Sequence, residues 1–251
     1  MSTSSKGKLT SAQLSYYTDL FNSINQKINI LFDHLNSDFL VTSNKLRKYS
    51  SIARDKLQAN NFPLPLKNKF SEAVKTFDMI IIELQYHDII RQKLEHIYTV
   101  DTDLTKDLKS SHEKNDPLNT SGFTCVLHDL VDLSYNQIRN IKEEYIVASG
   151  KIQKQLFKLW SDREIAIELQ MFLFNTANNH KNVTGTLDDI LNILEELKHN
   201  YQGFKVEISE ERRMEILHEV KQLYTMEAER RIFNETFQIE EEFVSDDNIF
   251  F

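Results

Sequence analysis

Apolar side chains recur every three or four residues from Leu9 to about Ala59, a stretch without glycine or proline. This spacing predicts an amphipathic α-helix, because such steps keep side chains on one helix face. A helix of about 50 residues is roughly 75 Å long, which favours an elongated bundle or a coiled coil. The recurring positions are Leu14, Tyr17, Leu20, Phe21, Ile24, Ile28, Leu31, Phe32, Leu35, Phe39, Leu46, Tyr49 and Ile52.

Pro63 and Pro65 mark the first break in this pattern. Two prolines so close together do not fit a helix interior, so the first helix ends before them. A second helical pattern runs from about Leu66 to Val100. Two long helices with a short connection pack antiparallel. We therefore predict an all-α fold of elongated antiparallel helical hairpins, with a four-helix-bundle or coiled-coil architecture.

The chain divides into five segments by composition. We predict a disordered start, a helical hairpin, a polar linker, a second helical block, and an acidic and aromatic tail. Their boundaries are 1–8, 9–100, 101–122, 123–237 and 238–251.

The second helical block carries local signals of its own. Ser209 precedes Glu210 and Glu211, which predicts a capped helix from about Glu210 to Phe237. Residues 204–208 alternate and predict a brief extended piece, while 178–185 is a weak point where a helix would bend.

Composition excludes several classes of protein. The net charge is −8 and the basic residues are scattered, which argues against a nucleic-acid surface. The single cysteine, Cys125, has no partner for an internal disulfide, and the first residues lack an apolar signal region. The most apolar run, 79–82, is far too short to span a bilayer. We expect a cytoplasmic protein without membrane insertion.

The second helix carries the main candidate chemistry. Asp88 and Gln92 are four residues apart and share one helix face. An apolar seam reaches Asp88 at three- and four-residue steps, then shifts towards Ile90. One interpretation is a solvated face with the pairs Asp88–Arg91 and Arg91–Glu95. The other is a docking face that presents Asp88 and Gln92 to a partner. The seam before the shift consists of Phe70, Val74, Phe77, Ile81 and Leu84.

The pattern Gln85-x-x-Asp88-x-x-x-Gln92 resembles the motif of the chemotaxis phosphatase family CheZ. That resemblance implies a homodimeric four-helix bundle that removes the phosphoryl group from a CheY-like response regulator. Gln92 would then orient the attacking water, and Asp88 would pair with the active-site lysine of the regulator. Gln85 and Arg91 would contact the partner. The Mg²⁺ of the reaction belongs to the regulator, so the resemblance implies no metal site or cofactor in this chain.

The last residues extend the resemblance. The family ends in a short acidic and apolar peptide that docks on the regulator, and the end of this chain has that character. The alternative is an acidic disordered end with aromatic residues that have no role. The predicted partner-binding residues are Asp246, Asp247, Ile249, Phe250 and Phe251.

Other functional classes stay open. His87-Asp88 and His128-Asp129 resemble the His-Asp pair that binds metal in one type of phosphohydrolase. Such a site needs further metal ligands, and nothing in the spacing of this sequence demands them. A histidine phosphotransfer domain would need Lys and Gly after its reactive histidine, and neither His87 nor His96 has them. The main alternative to the phosphatase is a non-catalytic coiled-coil interaction or scaffold protein of a bacterial signalling complex.

Overall fold

The described part of the chain is all-α, which confirms the predicted fold class. The computed structural model describes residues 10–58, 64–113, 122–160, 163–200 and 208–239, without the side chains of 37–41, 56, 65–66, 112–113, 160 and 163–176. Its helices are α1 (Ser11–Gln58), α2 (Leu64–Glu113), a 3₁₀ turn (Gly122–Val126), α3 (Leu127–Trp160), α4 (Arg163–Asn200), α5 (Glu210–Leu223) and α6 (Glu227–Phe237).

The four long helices form one antiparallel bundle within a single chain. Each helix packs on its neighbours in the sequence, and α4 returns to α1. An ion pair marks each contact. Three of the pairs join the C-terminal half of one helix to the N-terminal half of its neighbour, and the fourth joins the middles of α2 and α3, as antiparallel packing requires. These pairs are Arg54–Asp78 at 3.0 Å, Lys93–Glu144 at 2.6 Å, Lys198–Asp132 at 2.7 Å and Lys27–Asp189 at 2.7 Å. The four helices of this bundle therefore come from one chain, whereas the resemblance implied a dimer.

The apolar core of the bundle has two parts. The larger cluster includes Phe21 and Ile28 of α1, and the smaller one is centred on Phe77 of α2. Both consist of side chains at three- and four-residue steps, so the periodicity predicted from the sequence is the buried face. Ile52 is an exception, because 43% of it is exposed.

The helix boundaries correct one domain prediction. We predicted a polar linker over 101–122, but α2 continues to Glu113. Leu104 and Leu108 are fully buried in the larger core. The linker prediction is therefore wrong for 101–113, because a polar-looking stretch still supplies a buried stripe. Residues 114–121 lie outside the described part.

Gly122 fixes the turn into α3. Its φ of 83° lies in the left-handed region, which disfavours side chains other than hydrogen. A Cβ at this position would lie 2.3 Å from Oδ2 of Asp107. The same carboxylate accepts a hydrogen bond of 2.7 Å from the Phe123 backbone N–H. This close approach ties the start of the second helical block to α2.

The remaining predicted boundaries have mixed outcomes. Ser209 caps α5 by accepting a hydrogen bond from the Arg212 backbone N–H at 3.2 Å, as predicted. The predicted single helix over 210–237 instead breaks between Leu223 and Glu227. The stretch 178–185 is continuous helix. The predictions for 1–8, 204–207 and 240–251 fall outside the described residues.

The α5–α6 hairpin packs across the outside of α2 and α3. Both carboxylate oxygens of the buried Glu229 lie 2.9 Å from Nδ1 of His96 on α2. Gln137 of α3 donates a hydrogen bond of 2.9 Å to the backbone oxygen of Glu229. Arg213 of α5 pairs with Asp129 of α3 at 2.8 Å. The hairpin is therefore part of the folded unit.

Asp101 is a buried carboxyl beneath this hairpin. It is fully enclosed, and the Ser134 hydroxyl donates only a long hydrogen bond of 3.4 Å to it. Burial raises the pKa of Asp101 to about 7. Burial also raises the pKa of the enclosed Tyr224, with a smaller contribution from the nearby Asp101 carboxyl. The fold therefore favours the protonated carboxyl.

No helix in the described ranges has an apolar stretch of the length and hydropathy that crossing a membrane requires.

Replacing Asp101 should change how stability depends on pH. Because the folded-state pKa of Asp101 is raised from 3.8, the contribution of this residue to stability falls as pH rises from about 4 to about 7. Asp101→Asn lacks this loss. The free energy of unfolding of the variant, relative to that of the wild type, should therefore rise over that range by up to about 4 kcal/mol. Urea unfolding at pH 4.5 and pH 8 measures it.

A matched control is Asp103→Asn, two residues away and 43% exposed. An equal pH effect in both variants would contradict the assignment to Asp101.

Candidate functional site

Asp88 and Gln92 lie together on the outer face of α2. The Gln92 side-chain amide donates a hydrogen bond of 2.9 Å to Oδ2 of Asp88. The Asp88 side chain is 51% exposed, and Gln92 is partly exposed. The structure therefore brings the two predicted site residues into direct contact at the surface.

Arg91 and Glu95 extend this contact along the helix. Nε and Nη2 of Arg91 donate to Oδ1 of Asp88 at 3.1 and 3.0 Å. Nη1 of Arg91 donates to Glu95. These are the pairs expected for a solvated face. Exposed ion pairs of this kind contribute about 0–1 kcal/mol, so a partner group could replace Arg91 at little cost.

His87, which the sequence analysis did not assign to the core, decides where this face points. The seam was predicted to continue from Leu84 to Asp88, but the buried stripe instead passes from Leu84 through His87 to Ile90. That correction turns Asp88 outward. The sequence contained this information, because Leu84, His87 and Ile90 are separated by steps of three residues.

The His87 imidazole occupies a layer between the two apolar clusters. Its ring centroid lies 5.7 Å from that of Tyr145 on α3, and Tyr145 stacks on His180 of α4 at 5.5 Å. Within the described residues, Nδ1 of neither histidine has a hydrogen-bond partner. Burial lowers the pKa of His87 to about 4. The layer therefore favours a neutral imidazole directly behind the Asp88 face.

Exposed apolar side chains border the pair. Ile82 and Ile89 are 62% and 37% exposed, and Gln85 is exposed between them in the sequence. Tyr86 is 38% exposed, with the Lys151 ammonium of α3 5.8 Å from its ring centroid. The face thus combines polar groups with uncovered apolar area, a composition suited to protein binding. Sequence spacing alone did not reveal this apolar border.

The histidine alternatives find no support in the geometry. Among the described residues, no group of three or more His, Cys, Asp or Glu side chains could hold a metal ion. His128 instead approaches Asp132 at 3.3 Å on its own helix. His96 is bound to Glu229, and His87 is only 7% exposed. Neither histidine is presented to a phosphoryl donor.

The predicted tail contacts lie outside the described residues. These are Asp246, Asp247, Ile249, Phe250 and Phe251.

No protein-family model, curated protein or solved structure matches the chain.

Burial of His87 predicts that its own contribution to stability is lost in acid. Its pKa is depressed from 6.5, so its contribution is present above about 6.5 and is lost as pH falls towards about 4. The loss should approach roughly 3 kcal/mol. His87→Leu should lack it, and thermal unfolding at pH 7 and pH 4.5 measures the difference.

His218→Leu, at an exposed position on α5, is the matched control. If His87→Leu loses as much stability in acid as the wild type, the prediction is wrong.

Proposed function

We propose that this chain binds a phosphorylated CheY-like response regulator through the α2 face and promotes hydrolysis of its aspartyl phosphate. The observation that supports this most is the exposed Asp88–Gln92 pair, joined at 2.9 Å on a helix of 50 residues. A long helix packed in a bundle holds both groups at a fixed separation. Fixed geometry is what water positioning requires.

Asp88 supplies the docking charge in this proposal. Its carboxylate is held by Arg91 and Gln92 at the surface. An incoming lysine of the regulator replaces part of this pairing, and the partly exposed Arg91 remains beside Glu95. Because exposed pairs are weak, the exchange loses little and gains a contact that the interface desolvates.

Gln92 supplies the water-positioning group. When Asp88 turns to the regulator lysine, the Gln92 amide is released to hold a water in line with the phosphoryl group. The water oxygen forms a bond to phosphorus as the bond to the aspartyl oxygen breaks. The products are inorganic phosphate and the regulator carboxylate, and the water protons leave with phosphate or solvent. An amide orients water without acting as a base, and the Mg²⁺ is the regulator's.

A non-catalytic interaction protein is the second candidate. It is favoured by the internal pairing of both Asp88 oxygens and by the exposed Ile82 and Ile89 beside them. Such a face binds a partner through apolar contact without positioning a water. The two functions differ in what happens to the phosphoryl group, so its lifetime separates them.

Replacing Gln92 tests the phosphatase. Mixed with a phosphorylated response regulator and Mg²⁺, the wild type should shorten the phosphoryl lifetime. Gln92→Ala should reduce this acceleration about 100-fold, because water positioning is lost, while the affinity for the regulator changes little. Phosphate release and regulator binding are measured on the same samples.

Gln222→Ala, at an exposed position on α5, is the control for loss of a surface amide. Binding without acceleration by the wild type would favour the second candidate. Acceleration that survives Gln92→Ala would remove Gln92 from the site.

The predicted homodimer stays a prediction. Since one chain already supplies four bundle helices, a dimer would join two complete bundles. Light scattering after size exclusion measures the mass against the 29.5 kDa of one chain.

A further inference from the structure

An apolar stripe of α2 lies uncovered beside α3. Met79, Ile82, Tyr86 and Ile89 follow one another at steps of three and four residues, and they are 42%, 62%, 38% and 37% exposed. Side chains at these steps share one helix face. The stripe gathers a third of the twelve large apolar side chains that are exposed in the described residues. A contiguous patch of this kind marks an interaction surface.

A row of lysines on α3 forms the other wall. Lys151 contacts Tyr86, and its ammonium lies 3.5 Å from Glu83 of α2, which places it at the α2–α3 seam. Lys154 and Lys158 follow at three and four residues, so they continue along the same side of α3. We call the surface formed by the apolar stripe and this lysine row the outer groove.

Another part of the α2–α3 surface is already filled by the chain itself. The α5–α6 hairpin contacts His96 on α2, and Asn136 and Gln137 on α3. The outer groove begins beyond this hairpin, at Ile89. Among the described residues, the hairpin before residue 240 covers one stretch of the surface, and the adjoining stretch is open.

We propose that, in the free protein, residues 240–251 bind in the outer groove. This segment contains five carboxylates and no basic residue, together with Phe243, Val244, Ile249, Phe250 and Phe251. Its acidic groups complement the lysine row, and its apolar side chains match the α2 stripe. Acidic groups of the segment thus face basic groups of the groove, and apolar groups face apolar groups, which gives electrostatic steering as well as apolar burial.

The segment is long enough to reach the groove. Asn136 of α3 donates a hydrogen bond of 3.0 Å to the Thr236 hydroxyl, which fixes the end of α6 near that level of the bundle. From residue 136 to residues 151–158 of α3 the distance is roughly 22–33 Å. Twelve extended residues span about 40 Å. Ile249, Phe250 and Phe251 therefore reach the apolar stripe when the segment is extended.

Photo-crosslinking of the full chain tests the proposal without a regulator. Phe250 is replaced by p-benzoylphenylalanine, and the cross-linked peptides are mapped after irradiation at low protein concentration. We expect adducts within 79–92 of α2 or 147–158 of α3, in a species with the mass of one chain. The double variant Lys151→Glu/Lys154→Glu should reduce their yield roughly three- to tenfold.

Two controls separate the groove from general effects. Lys109→Glu/Lys181→Glu reverses two exposed lysines elsewhere and should leave the yield unchanged. Ile82→Ser should lower the yield, whereas Ile30→Ser on α1, where the isoleucine is 47% exposed, should not. Far-UV circular dichroism confirms that each variant is folded.

Adducts confined to other surfaces, or absent altogether, would overturn the proposal. Adducts found only in a species with the mass of two chains would assign the groove to a second copy and would also overturn it. Neither result depends on phosphatase activity, so failure here is distinguishable from failure of the proposed function.

Discussion

Burial of one continuous stripe along α2 controls the rest of the candidate site. A bundle helix with a neighbour on each side must turn its apolar face inward. Between Leu84 and Ile90 that face contains His87, not Asp88. Once the imidazole occupies the inner position, the carboxylate one residue later is rotated by about 100° towards solvent. The outward direction of Asp88 and Gln92 is thus a consequence of core packing.

The same stripe brings polar groups into the interior. His87 separates two apolar clusters, and Asp101 lies under the α5–α6 hairpin. Burial shifts their pKa values in opposite directions, to about 4 and about 7, and in both cases the neutral form is favoured. Both side chains are therefore neutral together only in mildly acidic solution, between the two titrations.

Sequence periodicity predicted the helices well and their ends less well. Regular apolar steps in α1 were enough to predict a long helix, because burial follows directly from that spacing. Apolar spacing did not predict that the helix continues after Val100, because the buried face there includes Asp101, Thr105 and Ser111 as well as leucines. Spacing placed Asp88 and Gln92 together, but it carried no information about which outer surface α5 and α6 would cover. The side-chain hydrogen bonds that hold α5 and α6 on α2 and α3 join residues 84 to 133 positions apart.

The return of α4 to α1 has a kinetic consequence. Helices adjacent in the sequence can dock through nearby contacts, whereas the contact between Tyr16 and Asn200 joins residues 184 positions apart. Contacts of such long separation close the largest loop and form late in folding. Side chains at the α1–α4 contact, such as Lys27 and Asp189, are therefore expected to slow unfolding more than they speed folding. The contact between the first and last long helices is therefore expected to control the unfolding rate of the bundle.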